Sequence, residues 1–187
     1  MTETMTSYCA LLRGIGPSNP NMRNDRLREV FEHLGFANVA SVLSSGNIVF
    51  STDDGAPTPE IEGRIQSALQ SELGISGGTI LRGRAECAAL AARKPFGDLE
   101  HSKETYLTVT FLKEHLAPCP DPFPTPDMPQ VRIRGYDAEA RAILAVVDTT
   151  GSKTPDYMGW LERTFSKEIT TRTWNTVTKI LKKLPAG

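Results

Sequence analysis

Two stretches of this 187-residue chain carry side chains suited to holding an anion. In the first, Arg13-Gly14 ends the apolar run Tyr8–Leu12, and Ser45-Gly46-Asn47 separates two runs rich in β-branched residues. In the second, Arg172 stands just ahead of a helix start, with Asn175 in its first turn. A guanidinium presents a planar fork that matches a carboxylate or phosphate. Hydroxyl and carboxamide groups add donors, and the first backbone N–H groups of a helix lack internal partners. Each feature also has a purely structural reading. Arg13 then serves in an internal ion pair, Ser45-Gly46-Asn47 is a tight turn, and Thr173 is a helix cap whose hydroxyl accepts from Asn175 or Thr176.

Other chemistry is poorly represented. His33, His101 and His115 are scattered, and no cysteine or carboxylate stands near them at metal-ligand spacing. Gly151-Ser152-Lys153-Thr154 has the ending of a phosphate loop, but Val146 occupies the place of its first glycine. No nucleophile elbow and no zinc-protease motif is present, so no reaction, cofactor or metal is implied. The three cysteines, Cys9, Cys87 and Cys119, are widely spaced and imply no disulfide framework. That usage fits a cytoplasmic protein. A net charge of −1 argues against bulk attraction to nucleic acid or to an anionic membrane. No apolar run is long enough to span a bilayer.

The elements that must position these residues follow from periodicity. Tyr8–Leu12 reads as a buried strand, and Leu27, Val30, Phe31 and Leu34 mark a helix capped by Asn24 and stopped by Gly35. Val39–Leu43 and Ile48–Phe50 form a hairpin around the Ser-Gly-Asn turn. Thr58-Pro59-Glu60 opens a second helix with Ile61, Ile65, Leu69 and Leu73 inward. A strand at Thr79–Arg82 and an alanine-rich helix at Ala85–Ala92 follow.

That order, β-α-β-β-α-β, is the split βαβ or ferredoxin-like arrangement. Its first and third strands are antiparallel neighbours, so Arg13 and Gly14 should lie beside Ser45, Gly46 and Asn47 on one sheet edge. The second half reads β-β-β-α-β-α, a diverged echo without residue-level repetition. Strands are expected at Tyr106–Leu112, Val131–Arg134 and Ala142–Val147, with a turn at Gly135-Tyr136-Asp137. A helix capped by Thr154-Pro155 then places Met158, Leu161 and Phe165 inward, and a strand at Ile169–Arg172 precedes the closing helix. In that helix Trp174, Val177, Leu181 and Leu184 face the core. The expected class is α+β, with two ferredoxin-like subdomains built on mixed or antiparallel sheets. They span residues 1–98 and 99–187, with a proline-rich segment at 117–129.

The runs Leu11-Leu12-Arg13-Gly14-Ile15, Leu34-Gly35-Phe36, Ser45–Phe50 and Thr171–Val177 resemble the DUF1697 family, bacterial proteins of unknown function. The resemblance spans nearly the whole chain and implies two ferredoxin-like subdomains, but no reaction. The chain departs from the family after its first strand. Gly16–Asn21 stands where members commonly carry Asn-Val-Gly-Gly and then lysines. Thr173 stands where members often have Asn. The functional expectation is binding of a small phosphate- or carboxylate-bearing ligand by Arg13, Gly14, Ser45, Gly46 and Asn47, with Arg172 and Asn175 brought close from the second half. The alternatives are a nucleic-acid-binding module, disfavoured by charge and by few sheet aromatics, and an enzyme using the same edge.

Overall fold

The computed structural model describes residues 4–16 and 18–186. The chain divides into two compact units, Met1–Ala88 with Lys179–Gly187, and Ala89–Thr178.

In the first unit, β1 (Thr6–Leu12) is followed by a 3-10 turn (Pro20–Met22), α1 (Asn24–His33), β2 (Ala37–Ser41), β3 (Asn47–Thr52), α2 (Thr58–Leu73), β4 (Thr79–Gly83) and α3 (Arg84–Ala92), which runs on past Ala88. The sheet has the order β2-β3-β1-β4, with every pair antiparallel. This is the ferredoxin-like order expected from the periodicity. β1 is central, and consecutive residues Cys9–Leu12 are buried on both faces of the sheet, which is why its sequence is a continuous apolar run rather than an alternating one. One sheet face, with Ala10, Leu12, Ile48, Phe50 and Leu81, packs in a core with Leu27, Val30 and Phe31 of α1 and Ile61, Ile65 and Leu69 of α2. Side chains alternate along a strand, so Leu11, Arg13, Asn47 and Arg82 belong to the opposite face.

Several local expectations shift. Asn24 does not cap α1: the cap is Arg23, and the Asn24 amide instead donates to Leu43 O at 2.7 Å, tying the helix start to the β2–β3 turn. β2 begins two residues earlier than its apolar pattern indicates, because a bulge between Ala37 and Ala40 keeps it paired with β3. Thr58 lies inside α2 behind Pro57, and Leu73 is only partly buried. Glu62, on the same helix, is buried. Its Oε2 accepts the Leu81 N–H at 2.9 Å, on the outer side of edge strand β4. A carboxylate there satisfies a donor that sheet pairing leaves over.

In the second unit, β5 (Thr105–Leu112), β6 (Val131–Asp137), β7 (Ala142–Asp148), α4 (Tyr157–Thr164) and β8 (Ile169–Thr173) lead into α5 (Trp174–Lys183), which runs on past Thr178. The sheet repeats the order, β6-β7-β5-β8, and is again antiparallel. The helix that would join the first two strands is replaced by the proline-rich connection, whose Leu116, Phe123 and Met128 pack against the core beside Tyr136, Trp160 and Phe165.

Three readings change here. Gly135, Tyr136 and Asp137 are strand rather than turn, because a bulge after Ile133, with Gly135 at φ 149°, restores pairing opposite Leu144. The helix cap is Asp156, whose Oδ1 accepts from Gly159 N, and the buried face is Tyr157 and Leu161, leaving Met158 46% exposed. In α5 the buried apolar positions are Val177 and Ile180, with Leu184 buried just past its end, while Leu181 is half-buried.

Candidate functional site

The edge that gathers Arg13, Gly14, Ser45, Gly46 and Asn47 is built by backbone pairing. Leu11 lies opposite Asn47, and Leu12 N donates to Gly46 O at 2.9 Å. One residue further on, Arg13 N donates to Gly78 O at 2.9 Å, so the end of β1 is held on both sides.

The packing there is close enough to require glycine at two positions. A Cβ on Gly77 would stand 2.0 Å from the carbonyl oxygen of Arg13. One on Gly46, whose φ is +81°, would stand 2.6 Å from Ile15 Cγ1. The Arg13 side chain runs over Gly78, where a Cβ would lie 3.4 Å from its Cδ, and the residue is half-exposed. Gly77 therefore makes room for the arginine's backbone and Gly78 for its side chain. Their signal was in the sequence, two adjacent glycines before a strand, but their place beside Arg13 follows only from the β1–β4 pairing.

Asn47 has a different role from that of a ligand donor. It is completely buried, and its Nδ2 donates to Val42 O and to Ser45 Oγ, both at 3.0 Å. Those two bonds engage both amide protons and lock the turn. Ser45 itself is exposed. Asn47 thus positions Ser45, and the contribution of Gly14 and Gly46 is backbone shape, both having positive φ.

Arg172 and Asn175 belong to the second unit. Arg172 Nη1 donates to Thr170 Oγ1 at 2.5 Å and to Thr171 O at 3.1 Å. Thr173 caps α5, its Oγ1 accepting from Thr176 N at 3.3 Å, as its sequence indicates. Asn175 is exposed in the first turn, and its carbonyl accepts from Thr178 Oγ1.

Register exposes an equivalence that residue-by-residue reading missed. Arg82 lies opposite Cys9 in the first sheet, and Arg172 opposite Val109 in the second. Each donates through Nη1 to the carbonyl of the residue before it, Arg82 to Leu81 O at 2.8 Å. Arg82 is 1% exposed. Both units thus hold an arginine near the end of the fourth strand, just before a helix.

Of the remaining titratable groups, His33 Nδ1 meets Glu72 Oε1 at 2.7 Å on the surface. His101 accepts the Leu107 N–H on Nδ1 at 3.1 Å, and partial burial lowers its pKa. Burial raises the Cys87 thiol to about 12, so it is a packing residue. No helix among the described residues is long and apolar enough to cross a membrane.

Two antiparallel four-stranded sheets of the same strand order, each with helices, define the chain as an α+β protein of two ferredoxin-like subdomains. It belongs to the DUF1697 family, described as proteins of unknown function, whose pattern matches residues 5–123. Among solved structures it is similar to the conserved bacterial protein SP0830 from Streptococcus pneumoniae, at 21% identity and a TM-score of 0.72, over 96% of this chain and 99% of that one. No curated protein matches.

Proposed function

We propose that the chain binds a small anionic ligand, phosphate- or carboxylate-bearing, at the end of β1. Arg13 supplies the charge and Ser45 a hydroxyl. Asn47 holds the turn that presents Ser45, and Gly14, Gly46, Gly77 and Gly78 shape the backbone around them. The observation that carries this reading is the seating of Arg13. A half-exposed arginine at the end of a central strand, its carbonyl against Gly77 and its side chain over Gly78, loses little side-chain freedom when it grips a planar anion. The reading rests on first-unit residues alone.

A thermal-shift titration with inorganic phosphate, pyrophosphate and citrate tests it. An anion that binds the folded chain and is present at about 100 times its Kd adds about 2.7 kcal/mol, a rise of several degrees. Arg13→Gln removes that rise. An equal rise in Arg13→Gln, or none with any of the three anions, overturns the reading.

A further inference from the structure

The second unit contains an open groove of about 730 Å³, lined by second-unit residues alone. Its floor is Leu144 and Val146 of β7, one wall is the segment Pro95–Leu99, and the other is β6 with Arg132 and Arg134. The size falls in the range of sites that enclose a small organic molecule.

The bulge in β6 sets the character of this groove. Ile133 pairs with Ala145 and Gly135 with Leu144, so Arg134 is the extra residue. Ile133 and Tyr136 both pack in the core on one face of the sheet, which leaves Arg132 and Arg134 for the other, where Leu144 and Val146 also lie. Arg134 Nε donates to Pro95 O at 2.9 Å, which fixes its guanidinium plane across the groove's two walls. Its terminal nitrogens, and the whole Arg132 guanidinium, make no hydrogen bond among the described residues. Asp98 is the one carboxylate in the lining, which with its two arginines carries a net charge of about +1; Asp148, just outside it, faces Arg132. Leu99, 41% exposed, adds apolar surface at the rim, and Phe96 lies below.

We infer that this groove binds a monoanionic amphiphile, an alkyl or aryl carboxylate, whose carboxylate meets Arg132 and Arg134 and whose apolar body lies on Leu144, Val146 and Leu99. A bare inorganic anion would leave the apolar surface wet. A neutral apolar molecule would leave the open donors of Arg132 and Arg134 without an acceptor. A monocarboxylate with an apolar body matches both features.

The protein contains its own reporter. Phe96 packs against Trp174 with ring centroids 5.6 Å apart. In a Trp160→Phe background, Trp174 is the only tryptophan left. Titration with octanoate should change its emission saturably below about 10 mM, with octan-1-ol and acetate each weaker by about tenfold or more. Arg132→Gln, at an exposed residue, should weaken octanoate by about fivefold, and the pair Arg132→Gln with Arg134→Gln by more than about twentyfold. Arg13→Gln should leave octanoate binding unchanged, so this result and the phosphate result fail independently. Octan-1-ol binding as well as octanoate, an unchanged affinity in Arg132→Gln, or no saturation in that range each overturns the inference. If loss of the Arg134 bond to Pro95 unfolds the double variant, Arg132→Gln alone decides.

Discussion

At the end of its first strand, each unit makes the same two backbone hydrogen bonds with different residues. In the first, Leu12 N donates to Gly46 O and Arg13 N to Gly78 O. In the second, Leu112 N donates to Arg141 O and Lys113 N to Glu168 O. The acceptors are glycines in one unit and long charged residues in the other. Arg141 adopts φ +53° without being glycine, and its Nη1 reaches back to Lys113 O at 2.9 Å. Identical strand order therefore does not make identical edges. In the first unit side chains have been removed where segments meet, and a buried asparagine braces the turn. In the second, Ala142 stands at the position of Asn47, and the arginine side chain does the bracing.

The two cores differ as well. Where the first sheet places Tyr8, Ala10 and Leu81 against its helices, the second places Thr108, Thr110 and Thr171. Thr110 and Thr171 share a hydrogen bond at 2.9 Å, and Thr108 donates to Ala145 O. The Tyr157 hydroxyl beside them is buried and makes no hydrogen bond of good geometry. Burial raises its pKa, only partly offset by Thr110 and Thr108. The second core thus carries threonine hydroxyl groups at three positions where the first has Tyr8, Ala10 and Leu81.

Substitutions at matched points would sharpen or break this comparison. The largest effect is expected from Gly77→Ala, which drives a Cβ into the Arg13 carbonyl. It should cost about 3 kcal/mol or more in urea denaturation, and a cost below about 1 kcal/mol would mean that β1 and the Gly77 backbone are not tightly apposed. Asn47→Ala removes both bonds that lock the turn and strands the Val42 carbonyl, so a loss of about 2–3 kcal/mol follows. Gly46→Ala should cost about 2 kcal/mol through its positive φ and its contact with Ile15. Arg141→Gly at the matched point should cost less, because glycine relieves the left-handed backbone there. Equal costs would contradict the contrast between the two edges. Tyr157→Phe removes a hydroxyl without a good partner and should leave stability unchanged or raise it by up to about 1 kcal/mol.

The smallest effect concerns pH. The folded pKa of His101 lies below its ordinary 6.5, so the folded state favours the neutral ring. Its share of stability is complete above pH 6.5. It declines as pH falls from there through the lower folded value, because the unfolded chain takes the proton first. His101→Asn keeps an acceptor for the Leu107 N–H and should flatten that acid-side slope in a series of melts. A slope unchanged in the variant would assign it to other groups.

Much of this molecule was legible as a string of residues. The helix faces at Ile61, Ile65 and Leu69, the apolar run of β1 and the Thr173 cap are local patterns, and local patterns fix element type. Element order then implied the ferredoxin-like pairing that placed Arg13 beside Gly46. The errors fell where a distant contact overrides a local preference. Asn24 caps nothing because Leu43 O takes its amide. Gly135 reads as a turn but sits in a bulge, because Leu144 across the ladder keeps β6 in register. Met158 and Leu181 missed the core because the start of α4, and the surroundings of α5, set which face turns inward.

The sequence by itself determined the class, the two-sheet plan and the glycines and arginines available at the edges, since periodicity and turn chemistry act over a few residues. Only the tertiary structure decided what those residues do. It showed that Asn47 is spent on its own turn, that Gly77 exists for the Arg13 carbonyl, and that Arg82 answers to Arg172. The physical reason is that a side chain's role depends on which polar groups and how much space surround it. Those surroundings come from strands far apart in the chain.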